Sequence, residues 1–172
     1  MSNQLNTKKD ILMENLKNFF KVKKNFKILK NIIEGENKIS LRVIDWFVTN
    51  YCKKYNIKYK LKKNELFMVH LDYKCQLKSF KKKLFDPFRR KDKIEISLDE
   101  NNIIFTTVGQ LNFFKWALKN KVIDYIENNL SEIEKDMTKR HKKKENKLKR
   151  EITLSATKTV NKHYTKIIVS FD

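Results

Sequence analysis

Hydrophobic positions along the chain keep two periods, and the switches between them mark out its elements. From about Asp10 to Ile33, Leu12, Leu16, Phe19, Phe26, Leu29 and Ile33 share one broad helical face, with lysines over most of the rest. An ordinary core helix is the first reading of this segment; a basic helix lying on a membrane or a partner is the other. Gly35 is placed to stop it. Ser40 is a good cap for a second helix, where Leu41, Ile44, Val48, Tyr51 and Tyr55 repeat at three and four, and Trp46 and Phe47 widen the stripe. The period then drops to two. Ile57, Tyr59 and Leu61 alternate with lysines, and Leu66 to Leu71 is a short apolar run, so both read as strands. Ile94, Ile96 and Leu98 alternate again, Asp99 to Asn102 has turn chemistry, and Ile103 to Val108 supplies the second arm of a hairpin.

The longest helical pattern follows Gly109, where Leu111, Phe114, Leu118, Val122, Ile126, Leu130, Ile133 and Met137 advance by three or four. It predicts one long helix over 110–137. Thr138 to Arg150 reads TKRHKKKENKLKR, a solvated linker or an extension of that helix. In the tail, Ile152, Leu154 and Ala156 alternate, Asn161 to His163 can turn, and Ile167, Val169 and Phe171 alternate again. A C-terminal β-hairpin is expected there, joined to the main sheet or to a neighbour, because an isolated hairpin is marginal in water. The fold class is α+β, with helices packed on a small, mainly antiparallel sheet. Its parts are an N-terminal basic amphipathic helix (1–38), an α+β core (39–137), the basic run (138–150) and the terminal strand pair (151–172).

Composition narrows the chemistry. The chain has 172 residues, with 40 Lys and Arg against 20 Asp and Glu, for a formal net charge of +20. That excess calls for a negative partner or a tolerance of self-repulsion. Two glycines and one proline leave no room for a Gly-rich phosphate loop of the Walker or Rossmann kind. Cys52 and Cys75 are too few for a disulfide framework and fit a reducing compartment. The polar start lacks the apolar segment of a signal peptide, and no run approaches the length of a membrane span, so a soluble intracellular or packaged protein is expected.

A catalytic set is hard to assemble. His70, His141 and His163 lie far apart. Cys75 and His70 are five residues apart on an expected strand and would point to opposite faces. Cys52, His70, Cys75 and His163 make no close pair of the kind zinc sites use, so neither metal nor cofactor is expected. Asp99 and Glu100 suit a turn, and Glu132, Glu134 and Asp136 suit a solvated helix face, better than a two-metal centre. The protein reads as non-enzymatic.

The positive signal is the clustering of cations. The residues singled out for contact with nucleic acid or another partner are Lys53, Lys54, Lys81, Lys82, Lys83, Arg89, Arg90, Lys91, Lys139, Arg140, Lys142, Lys143, Lys144, Lys149 and Arg150. Tyr73, Phe80, Phe85 and Phe88 interleave with the central group, as core rings in the first instance and as stacking rings in the second. Lysine far outnumbers arginine, which favours phosphate contact over base reading. An A+T-rich coding sequence is a competing cause of so much Lys, Asn, Ile and Phe. Arg89 and Arg90 follow the only proline, in FDPFRR, so Pro87 presents the pair on a rigid turn.

Three stretches carry a resemblance: ISLRVIDWFVTNYCKKYNI, YKCQLKSFKKKLFDPFRR with TTVGQLNFFKWALKNKVIDYI, and ITLSATKTVNKHYTKIIVSFD. Together they resemble an uncharacterised family of small basic proteins of nucleocytoplasmic large DNA viruses, over Ile39 to Asp172. The resemblance implies a viral origin, a place in the virion or in the host cytoplasm at a viral factory, and a part in packaging or capsid assembly. It carries no catalytic residue with it. Two roles stand. One is non-specific binding of nucleic acid, DNA ahead of RNA, through a lysine-rich surface. The other is a minor capsid or other virion structural protein that contacts acidic capsid or membrane surfaces, with self-association through the terminal strands.

Overall fold

A computed structural model describes residues 8–61, 65–100, 102–140 and 146. The chain divides into two units, Met1–Glu134 and Lys135–Asp172.

Two helices open the first unit, α1 (Lys8–Phe20) and α2 (Lys23–Glu34). The sequence pattern predicts one helix here, but its inward residues do not keep a single phase. Leu16 and Phe20 are buried, and the next buried residue, Phe26, lies six positions on, between the helical repeats of three to four and seven. A break at Lys21 and Val22 absorbs the mismatch and turns Phe26, Leu29 and Ile32 inward. Asn25 closes the gap, its Nδ2 donating to the Phe19 carbonyl at 3.0 Å. Gly35 ends α2 in the left-handed region (φ 81°), as the sequence predicts.

The Ser40 cap is also as expected, its hydroxyl accepting from Val43 N at 3.3 Å. Helix α3 (Leu41–Trp46) leads into a π-helical turn (Phe47–Tyr51) and then α4 (Cys52–Lys54). Buried residues come in pairs at 43–44, 47–48 and 51–52, a repeat of four that a plain α-helix would rotate off the core. The π turn, with Cys52 N donating to the Phe47 carbonyl, supplies the extra residue that keeps all six inward.

Strands β1 (Lys58–Lys60) and β2 (Leu66–Met68) pair antiparallel, with Tyr59 opposite Phe67. The expected strand over 66–71 stops at Met68, and α5 (Val69–Leu84) begins in its place. Val69, Tyr73, Leu77, Phe80 and Leu84 supply a helical repeat, and only its first turn overlaps the apolar run read as a strand. The hairpin of β3 (Lys93–Asp99) and β4 (Asn102–Thr107) is as predicted, with Ile96 opposite Ile104 and a bulge between Ser97 and Asp99. The class is therefore α+β, but the strands of the described residues form two separate pairs instead of one sheet.

Helix α6 (Val108–Lys119) is the axis of the unit, buried along most of its length and packed against α1, α5, β4 and α7 (Val122–Asn128). The single helix expected over 110–137 is interrupted twice. Lys121 takes a left-handed conformation (φ 55°), and Asn129 separates α7 from helical residues 130–140. Asparagine side chains offer the backbone local alternatives to the helical bond. Asn120 Nδ2 donates to the Trp116 carbonyl and Asn129 Nδ2 to the Tyr125 carbonyl, both at 2.9 Å. The Tyr59 hydroxyl holds the first break from outside, donating to the Asn120 carbonyl at 2.7 Å. Around α6, Tyr73, Phe85, Phe113 and Trp116 form one ring cluster with centroid separations of 5.4–6.4 Å. Trp116 Nε1 donates to Asp72 Oδ1.

In the second unit, residues 135–140 and 146 are helical. The strand pair expected over 151–172 lies outside the described residues. Among those described, no helix is long and apolar enough to cross a membrane.

Candidate nucleic-acid interface

The end of α5, the loop that follows it and the start of β3 gather most of the central cations. Lys81 leaves the helical region (φ 57°, ψ 165°), so the last turn of α5 is displaced at the point where Lys81, Lys82 and Lys83 stand exposed. The chain then drops Phe85 into the core and crosses the first turn of α6. Asp86 N donates to the Gly109 carbonyl at 3.2 Å, Gln110 Nε2 to the Pro87 carbonyl at 2.9 Å, and Thr107 Oγ1 to the Arg89 carbonyl at 3.3 Å. Thr107 also caps α6, its hydroxyl accepting from Gln110 N at 3.2 Å. Gly109 suits the close approach, since a β-carbon there would stand 3.2 Å from the Lys83 carbonyl oxygen and 3.3 Å from Arg89 Cβ, a tight fit.

A cleft of about 220 Å³ opens at this crossing. Lys83, Arg89, Lys91 and Lys93 line it together with Asp10 and Asp92, over a floor that includes Thr107 and Gly109. Arg89 is braced by Asp92 at 2.8 Å. Among the described residues, no carboxylate pairs with Lys83, Lys91 or Lys93. The first turn of α6 borders the same space, and its N–H groups add a partial positive charge. From Lys81 to Lys93 there are seven cations and two acids, and both acids are engaged locally. Asp86 Oδ1 accepts from Phe88 N at 2.8 Å, and Asp92 holds Arg89.

Of the other predicted residues, two lie on a different element of the first unit. Lys53 and Lys54 are exposed on α4, with Lys54 Nζ 4.6 Å from the Tyr55 ring centre. Lys139 and Arg140 are exposed in the second unit. Lys142, Lys143, Lys144, Lys149 and Arg150 lie outside the described residues. The structure therefore brings together Lys83, Arg89 and Lys91 and adds Lys93, which was not among the residues singled out. The framing roles of Thr107, Gly109 and Gln110 had no signal in the sequence, because each depends on a segment about twenty residues away.

The rings separate as well. Phe85 is fully buried, and Tyr73 and Phe80 are half-buried against it at centroid distances of 5.9 and 6.3 Å. Phe88 is 39% exposed. Cys52 is buried, and burial pushes its thiol well above the usual range. Cys75 and His70 lie on a helix instead of the expected strand, five residues apart and on different faces. The His70 ring faces the Val48 carbonyl, with Nδ1 3.5 Å away.

Residues 3–170 match a family of unknown function, DUF7197. The chain belongs to this family. The match takes in α1 and α2, which the resemblance seen in the sequence had left out. An uncharacterised protein of Acanthamoeba polyphaga mimivirus is 45% identical to the chain over 169 residues. That alignment covers 90% of this chain and 65% of the mimivirus protein, so the chain spans about two-thirds of that relative's length. No solved structure matches.

Proposed function

We propose that this DUF7197 protein binds nucleic acid without sequence preference, gripping the phosphate backbone through the face built from the end of α5, the 85–92 loop and the start of β3. The observation that carries the reading is the cleft, where Lys83, Lys91 and Lys93 stand without a carboxylate partner among the described residues, beside the braced Arg89. Four cations against two acids leave the concavity with an excess of positive charge, which a phosphate would offset. Lysines outnumber arginines in the lining, three to one, and Arg89 is taken up by Asp92, which suits backbone contact. No reaction is assigned to it. Likeness to a mimivirus protein supports a place in the virion or at the viral factory.

Salt titration tests the reading. With about six phosphate contacts, affinity for an oligonucleotide falls roughly 10³-fold between 50 and 200 mM salt. Replacing Lys83, Lys91 and Lys93 by Ala lowers the salt slope by about one per residue. An unchanged slope in the triple variant would overturn the assignment of the cleft.

A further inference from the structure

We propose that Phe88 is a stacking platform for an unpaired base, which makes the partner of the cationic face a single strand. The inference rests on the nucleic-acid reading above and narrows it to one class of substrate.

The rings that interleave with the central cations have different fates. Tyr73 and Phe80 each meet Phe85, which meets Phe113 in the core. Phe88 makes no ring pair among the described residues and is 39% exposed. A single exposed apolar residue on a mobile loop would mean little. Phe88 is not on such a loop. Its own N–H is bonded to Asp86 Oδ1, the preceding Pro87 is buried with its carbonyl held by Gln110, and the carbonyl of the following Arg89 is held by Thr107. The backbone on both sides of the ring is therefore fastened to the start of α6.

Its neighbours set the chemistry of what it meets. Arg89 lines the cleft, Arg90 is exposed beside it, and Lys91 lines the cleft again. An exposed aromatic residue that directly precedes Arg89, Arg90 and Lys91 in an anchored loop matches a nucleotide, with a flat base at one end and a phosphate at the other. Base pairs in a duplex cover each other's faces, so only an unpaired base can lie on the ring without the cost of unstacking. An acidic protein surface would match the cations but would leave the ring without a flat partner.

The test uses the full chain and three probes at one salt concentration: a thymidine strand of about 20 nucleotides, long enough for one binding site, a duplex of equal length, and inorganic polyphosphate, which has charge and no bases. The wild type prefers the strand to the duplex. Phe88→Ala weakens strand binding by about tenfold and leaves polyphosphate binding unchanged. Phe88→Trp restores the affinity and adds fluorescence that the strand quenches. Equal losses on strand and polyphosphate, or no loss on the strand, overturn the stacking role. If Phe88→Ala is silent while the triple lysine variant loses all three probes, the phosphate reading stands and this inference falls. If the wild type binds none of the three, both fall.

Discussion

Asp45 carries a penalty that its neighbours explain. Burial raises its carboxyl above the ordinary value, nearby Asp86 raises it further, and Lys82 offsets part of the effect. Folding therefore disfavours the charged form. The cost is full above the raised folded value and vanishes as pH falls to the unfolded value near 3.8. Asp45→Asn raises the melting temperature at pH 7, and the gap from wild type closes on acidification; a gap constant between pH 7 and 3 would contradict this account. At the cleft, Asp92 sits in a left-handed conformation (φ 59°) that asparagine tolerates. Asp92→Asn keeps the turn, removes one negative charge and releases Arg89 for a phosphate, so strand affinity at low salt rises several-fold in a direct binding titration. At this scale the sequence was a partial guide. It marked Arg89 and Arg90 as a presented pair and left the local Arg89–Asp92 brace unread, whereas the burial of Asp45 beside Asp86 and Lys82 arises only when separate segments meet.

Local signals located the elements and missed their interruptions. The Ser40 cap, the Gly35 stop and the turn at Asp99 to Asn102 are legible because each rests on residues within one turn of its own position. The breaks at Lys21 and Val22, at Lys121 and at Asn129 are not. Apolar residues on both sides continue the helical count closely enough to hide a change of phase, and the core selects the phase. Strand 66–71 failed for a related reason, since a short apolar run fits a strand or the first turn of a buried helix equally well. Thr107 joins two elements at once, capping α6 and holding the Arg89 carbonyl. Thr107→Ala costs about 1–2 kcal/mol in chemical denaturation and, by loosening the 85–92 loop, also weakens strand binding. Thr107→Ser restores both.

Across the first unit, one buried helix organises core and surface together. Phe85 shows the coupling, because it fills the ring cluster around Trp116 while the next residues form the cationic loop. Phe85→Ala costs about 3–5 kcal/mol in unfolding free energy. The expected binding phenotype is a lower active fraction, with the salt slope of the folded fraction unchanged. The slope belongs to the surface charges, so the two variant classes separate stability from recognition in the same titration.

The α+β class, the hairpin, the caps and the cationic bias were settled by the chain alone, because period, turn chemistry and charge are local or summed properties. Which cations converge, and which of the rings among them stays exposed, were decided by the tertiary structure. Lys83, Arg89, Lys91 and Lys93 become one site through the packing of two segments on the first turn of α6, and a linear pattern carries no record of that distance.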